Sequence, residues 1–214
     1  ENDAIVITGT RGEGINRNLI GSSITAVDSR DIEDREIRIV SDVLRDIPGV
    51  AVNRTGAVGG PTQVRIRGSE GNHVLVLIDG IKASDPYQGE FDWATLIVDD
   101  AARVEVLRGQ QSSLYGSDAI GGVINYITLS GKEAPGIRLC GEGGAFGTYN
   151  GTARVGGTAS ETFDYALSGA FNHTTGYPTA PGGTRDVGSE NIGSSAKANW
   201  EPSDIFKLTG VIRY

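Results

Sequence analysis

Phe163-Asp-Tyr-Ala-Leu-Ser-Gly-Ala-Phe-Asn172 is the stretch whose reading decides the fold. Phe163, Tyr165, Leu167, Gly169 and Phe171 alternate with Asp164, Ala166, Ser168, Ala170 and Asn172, a strict period of two with one apolar and one polar side. Three further stretches carry the same pattern. Tyr149, Gly151, Ala153 and Val155 alternate with Asn150, Thr152 and Arg154; Ala196, Ala198 and Trp200 with Ser195, Lys197 and Asn199. Phe206, Leu208, Gly210, Ile212 and Tyr214 alternate with Lys207, Thr209, Val211 and Arg213. A weaker version runs through Ile137, Leu139, Gly141 and Ala145, with Arg138 and Glu142 opposite. The pattern predicts about five strands of roughly ten residues, with aromatics towards their ends, as in a membrane barrel with aromatic girdles. A soluble β-sandwich alternates in the same way. The barrel is favoured by strand length, since sandwich strands typically run to about five or six residues. It is also favoured by connections that alternate between short (Gly156–Ser160, Glu201–Asp204) and long (Gly176–Gly193).

Upstream of the polar turn Leu129-Ser-Gly-Lys-Glu-Ala-Pro-Gly136 the texture changes to mixed α and β. Strands are expected at Ser22–Val27, Val50–Asn53, Gln63–Arg67, Val74–Ile78, Arg103–Leu107 and Val123–Thr128. Asp79-Gly80 marks a tight hairpin. Ser29 is expected to cap one short helix, and Ser41 a second over Asp42–Ile47, stopped by Pro48-Gly49. Two long loops stand out, glycine-rich Arg54–Thr62 and Lys82–Asp92. At the start, Asp3-Ala-Ile-Val-Ile-Thr8 is a β-prone run followed by a glycine-rich leash, Gly9–Asn18. Such a run can serve as a first strand of the chain's own sheet, or add itself to the edge of another protein's sheet.

Composition excludes several functions. The 214 residues include 32 glycines, one cysteine and two histidines, and carry a formal net charge of −8. The acidic balance argues against nucleic-acid binding. A single cysteine permits no internal disulfide, and Cys140 is expected to be a small buried filler. His73 is expected to be structural. No catalytic constellation is present, so no enzyme is expected. Gly56–Gly60 and Gly116–Gly122 lack the spacing of phosphate-binding loops, and Asp85, Asp92, Asp99 and Asp100 lack EF-hand periodicity. There is no long apolar run for a transmembrane helix, and the first residues have no basic or apolar signal-peptide regions, which reads as a mature or unexported start.

Five segments, in order, resemble the plug of TonB-dependent outer-membrane receptors: Ser41-Asp-Val-Leu-Arg-Asp-Ile-Pro-Gly-Val50, Val64-Arg-Ile-Arg-Gly68, His73-Val-Leu-Val-Leu-Ile-Asp-Gly80, Arg103-Val-Glu-Val-Leu-Arg-Gly109, and Ser113-Leu-Tyr-Gly-Ser-Asp-Ala-Ile-Gly-Gly-Val-Ile-Asn-Tyr-Ile-Thr128. The wording is most similar to the cobalamin-receptor type, including Phe171-Asn-His-Thr-Thr-Gly-Tyr177. The resemblance implies an α+β plug followed by antiparallel strands of a transmembrane β-barrel. That barrel is incomplete within this chain, about 22 strands being expected when complete. It divides the chain into a terminal segment and linker (1–18), a plug (19–130) and the first barrel strands (135–214).

It further implies active import of a scarce, large substrate, corrinoid or siderophore-like, across a bacterial outer membrane. The partners would be TonB with its inner-membrane energising complex, the lipid bilayer, a small-molecule substrate, and barrel strands supplied by another chain or segment. By resemblance, Asp3, Ala4, Ile5, Val6, Ile7 and Thr8 form the TonB box. Asn53, Arg54, Thr55, Gly56, Val58, Gly59, Asp85, Tyr87 and Gln88 lie on substrate-facing plug loops. Arg67 and Arg108 lock the plug against acids of the barrel wall. No cofactor is implied; the corresponding loop of cobalamin receptors holds calcium, but here it offers only Asp186 and Glu190, fewer oxygens than calcium takes. A soluble β-rich interaction or adhesion module is the alternative.

Overall fold

The computed structural model describes residues 5–6, 14–98, 101–203 and 205–214. The strands and helices run β1 (Ile5–Val6), β2 (Ile15–Asn16), β3 (Ser23–Asp28), α1 (Ser29–Asp34), α2 (Val40–Leu44), β4 (Val50–Arg54), β5 (Thr62–Ile66), β6 (Val74–Ile78), β7 (Ile81–Lys82), β8 (Ala101–Arg108), α3 (Ser112–Tyr115) and β9 (Gly122–Thr128). Then follow β10 (Gly136–Gly144), β11 (Thr148–Ser160), β12 (Phe163–Tyr177), β13 (Val187–Ser203) and β14 (Phe206–Arg213). The chain forms two compact units. One holds the residues up to Asn53, Thr62–Trp93 and Ala101–Ile127; the other holds Arg54–Pro61, the stretch from Ala94, and Thr128–Tyr214.

The first unit is built on a five-stranded sheet in the order β3-β8-β9-β6-β7. β6 and β9 run parallel, and β3–β8 and β6–β7 are antiparallel. Every residue of β9 is buried, as are Val74, Leu75, Val76 and Leu77 of β6. A strand with both faces covered reads as a continuous apolar run, and Val-Leu-Val-Leu-Ile is one. One face carries a cluster of Ile24, Leu75, Leu77, Leu107, Ala119 and Val123. The alternate positions Val76, Val104, Val106, Ile124 and Tyr126 are buried on the other. Each such side chain stabilises by roughly 1.5–3 kcal/mol. The expected hairpin forms, with Ile78 opposite Ile81. Asp79 and Gly80 both take positive φ (50° and 81°), as a two-residue type I′ turn requires.

Two helix expectations are corrected. β3 runs on to Asp28, so Asp28 rather than Ser29 caps α1, its carboxylate accepting from the Asp31 amide at 3.0 Å. The second helix starts at Val40 with no side-chain cap, and Ser41 lies buried inside it. Packing of Val40, Val43 and Leu44 draws that first turn into the core, and burial there outweighs capping preference.

The second unit is an antiparallel meander in the order β10-β11-β12-β13-β14, with strands of 9, 13, 15, 17 and 8 residues. Its register aligns the two phases read from the sequence. Ile137, Val155, Leu167, Ala196 and Ile212 fall in one cross-strand row, and Arg138, Arg154, Ser168, Ser195 and Arg213 in the next. Burial is inverted relative to a soluble sheet. Ile137 and Ile212 on the apolar face are 77% and 75% exposed, whereas Asp164, Asn172 and Asn199 on the polar face are buried. An apolar face turned outward over a buried polar face is the arrangement of a strand wall whose outer solvent is lipid. The apolar band has level ends: Phe163 pairs with Trp200 and Phe171 with Ile192. A tilted strand needs about 9–11 residues to cross the hydrocarbon, and Phe163–Phe171 and Ile192–Trp200 fit that span.

Three details of the barrel half differ from expectation. β11 continues to Ser160 and β13 to Ser203, so Gly156–Ser160 and Glu201–Ser203 are strand, and the long loop contracts to residues 178–186. The connection 145–147 on that same end is short, so a single long loop carries the asymmetry. Ala145 sits in that turn, outside β10, and Cys140 is exposed instead of buried. Cys140 belongs to the polar phase of an edge strand, flanked by β11 on one side only.

Candidate functional site

Of the near-terminal run, Ile5 and Val6 pair antiparallel with Asn16 and Ile15, in a two-stranded sheet separate from the five-stranded one. Asp3, Ala4, Ile7 and Thr8 lie outside the described residues. An isolated two-stranded ribbon is marginal in water, so its backbone groups are held weakly.

The two loops belong to different compact units. In the first, the Thr55 amide donates to the Pro61 carbonyl and the Gly60 amide to Ala57, both at 3.0 Å. This closes a tight loop on the buried Ala57. Asn53, Thr55, Gly56 and Val58 are exposed, and Arg54 and Gly59 partly covered. Gly59 has φ +86°, and a Cβ there would fall 2.4 Å from the Ser189 Cβ, so the loop tip seats on β13 through a position only glycine can fill.

The second loop is organised by Asp85. Its carboxylate accepts from the amides of Tyr87 (2.8 Å) and Gln88 (2.7 Å), its own amide donates to the Glu90 carbonyl (2.8 Å), and the Gly89 amide donates to its carbonyl (2.9 Å). Asp85 therefore shapes the turn. Tyr87, 95% exposed, and the exposed Gln88 are what the turn presents. Gln63 reinforces it by donating to the Glu90 carboxylate at 3.1 Å. Glu90 is an organiser that the sequence pattern did not single out.

The four plug arginines separate. Arg103 meets Glu105 at 2.6 Å, and Glu105 is fully buried. Arg65 approaches Gln63 at 3.4 Å. Arg67 and Arg108 come together around Gly49, where an added Cβ would meet Arg67 Cγ at 3.7 Å and Arg108 Cδ at 4.0 Å. Arg108 donates to the Pro48 carbonyl (2.5 Å) and to Thr25 Oγ1 (2.8 Å). Elsewhere in the plug, Lys82 pairs with Asp118, and that hydrogen bond, followed by one from Ser117, holds the Asp118 carboxyl below its usual range.

Asp186 and Glu190 do not converge with other acids. The Glu190 carboxylate faces His173 Nδ1 at 3.4 Å, and among the described residues no group of three or more metal-binding side chains forms. On the polar wall, Asn150, Asp164, Asn172, Lys197 and Asn199 make hydrogen bonds that alternation marked only as polar positions.

A mixed plug sheet followed by an outward-apolar meander defines the class of plugged outer-membrane receptors. The family model of the TonB-dependent receptor plug domain matches residues 17–123, and the chain belongs to that family. Solved structures share the fold. The siderophore receptor PirA from Acinetobacter baumannii is 23% identical with a TM-score of 0.68, covering 89% of this chain and 31% of its own. The ferripyoverdine receptor of the outer membrane of Pseudomonas aeruginosa is 20% identical with a TM-score of 0.75, covering 98% and 27%. The alcaligin outer-membrane receptor FauA from Bordetella pertussis is 16% identical with a TM-score of 0.76, covering 98% and 34%. The chain thus spans about a third of the length of the structures it matches.

Proposed function

We propose that this chain is the plug and opening barrel strands of a TonB-driven importer in a bacterial outer membrane. Residues 1–18 serve as TonB-contacting segment and linker, 19–130 as plug, and 135–214 as barrel wall. The observation that carries this reading is the inverted burial of the β10–β14 sheet, because an exposed apolar band with level ends has a use only in lipid. β10 and β14 each have one strand neighbour here. Unpaired edges in hydrocarbon cost several kcal/mol per group, so further strands, from another segment or chain, flank both.

The substrate is a scarce chelate too large for a porin, siderophore-like or corrinoid; one structural neighbour is named as a siderophore receptor and another as a ferric yersiniabactin uptake receptor. Asn53, Arg54, Thr55, Gly56, Val58, Gly59, Tyr87 and Gln88 contact it, with Asp85 holding the second loop. Asp3–Thr8 passes to TonB as an added strand, which the weak β1–β2 pairing permits. Arg67 and Arg108, adjacent at Gly49, seat the plug against acidic groups of the wall.

Two measurements test the reading. The receptor should fractionate with outer membranes and require detergent. Deleting Asp3–Thr8 should abolish uptake of a ferric siderophore or corrinoid while leaving its binding to intact cells unchanged. Normal uptake by the deletion would remove the TonB-box role, and a water-soluble receptor would overturn the barrel.

A further inference from the structure

The connector that leaves β9 is fastened to the inner wall of the barrel strands by an unusually dense set of contacts. Gly131 is buried, and its amide donates to Asp164 Oδ1 at 2.9 Å. The same carboxylate oxygen accepts from Asn199 Nδ2 at 3.0 Å, and Asn199 Oδ1 in turn accepts from Thr209 Oγ1 at 2.9 Å. Asp164 and Asn199 are 2% and 6% exposed. Two rows along β13, Lys197 Nζ donates to the Thr128 carbonyl at 2.9 Å. At the rim, Lys132 reaches Glu201 at 3.3 Å.

Backbone fit is equally close. A Cβ on Gly131 would lie 2.3 Å from the Tyr165 carbonyl oxygen and 2.4 Å from that of Gly157. One on Gly156 would lie 2.8 Å from the Ala134 carbonyl oxygen and 3.4 Å from Gly131 Cα. The connector is itself stiffened by the Ser130–Glu133 bonds at 2.8 and 2.9 Å and by the Ala134 amide on the Ser130 carbonyl. A connector that only bridged two bodies would need none of this; exposed turn residues ordinarily satisfy their polar groups with water.

We propose that Asp164 is a positioning residue whose clamp on Gly131 makes the 128–135 connector a fixed anchor. It sets the point beyond which a pull on the terminal segment cannot propagate along the chain. The role rests on the import reading above. TonB pulls at the start of the chain, and the force carried along the backbone ends at a buried carboxylate held between β12 and β13. Because Asp164 and Asn199 lie on neighbouring strands in register, the load passes into the sheet across its hydrogen-bond ladder.

Two experiments on the complete receptor decide the matter. In the first, hydrogen exchange of the purified receptor should show the Gly131 amide protected. Protection should be lost in Asp164→Ala and kept in Asp164→Asn, which retains an acceptor oxygen. A freely exchanging Gly131 amide in the parent would overturn the clamp. In the second, A134C in a C140S background is exposed to a thiol reagent in intact cells supplied with substrate. Asp164→Ala should raise TonB-dependent labelling about tenfold, the scale of a lost hydrogen bond to a charged group, while Asp164→Asn stays within about twofold of the parent. Asn199→Ala, a second variant that spares Asp164, should give an intermediate rise. Labelling that rises equally in cells lacking TonB, or does not rise at all, overturns the anchor. A parent receptor that takes up no substrate, yet protects Gly131, would instead overturn the import reading on which the anchor's role depends.

Discussion

The plug sheet and the barrel sheet each have five strands, yet they solve opposite problems. The plug sheet hides apolar residues on both faces, as β9 shows along its whole length. The barrel sheet buries polar residues such as Asp164, Asn172 and Asn199 and displays apolar ones such as Ile137 and Ile212. Composition alone does not separate them, since Val, Ile, Leu and aromatic residues occur in both. What separates them is order along the strand: unbroken runs where both faces meet protein, strict alternation where one face meets protein and the other lipid. The same side chain can therefore stabilise by leaving the solvent in one half of the molecule and by entering it in the other.

The sharpest way to break the contrast is to remove the ion-pair partner of a charge in the plug core. Arg103→Ala removes the ion-pair partner of the fully buried Glu105 and should cost about 3–5 kcal/mol of plug stability, read as a lower denaturant midpoint. Arg103→Ala paired with Glu105→Gln should recover part of the loss.

A second test uses adjacent positions of β12. Leu167→Arg puts a cation on the lipid side and should destabilise the membrane-inserted state by about 2–4 kcal/mol, whereas Ser168→Arg, on the inner phase, should change selectivity or binding with little effect on insertion. Equal effects in urea unfolding from lipid vesicles would mean that the two faces share one solvent.

Gly59→Ala tests the seating of the loop on β13. With φ +86° and the Ser189 Cβ at 2.4 Å from the new methyl, it should cost about 1–3 kcal/mol and release the loop to protease.

The smallest effect is on the plug surface. The Asp118 carboxyl is held below its ordinary value of 3.8 by Lys82. A lowered carboxylate pKa contributes stability that is present above the unfolded value and lost as pH falls through the folded one. Lys82→Ala should therefore lower stability at neutral pH by less than about 1 kcal/mol, the pair being half exposed, and the difference from the parent should vanish in acid below 3.8.

Much of this architecture was legible because it depends on short-range order. The strand phases of β11 to β14, the Asp79-Gly80 hairpin and the plug motifs all follow from residues close in sequence. Strand ends did not follow, since Gly156–Ser160 and Glu201–Ser203 are polar and small, and their pairing is set by the neighbouring strand. The cap at Asp28 went astray because Asp28 and Ser29 are adjacent candidates of similar propensity, and the start of α2 because packing of its first turn outweighed the capping preference of Ser41. On the loops, the role of Asp85 was not visible, because an acid that closes a turn and an acid that meets a ligand are the same letter. Asp164 was counted only as a polar-phase residue for the same reason; its partner, the amide of Gly131, carries no side chain to announce it.

β12 and β13 run past the level edge of the apolar band. Beyond Phe171 and Ile192 the outward positions turn to His173, Thr175 and Glu190, and the strands stay paired as far as Tyr177 and Val187. At about 3.3 Å per residue this raises a paired ribbon roughly 15 Å above the band. The 178–186 loop is thus carried on a rigid stalk in water. Its sequence can lengthen or accept an inserted segment while the paired residues of the apolar band keep their register.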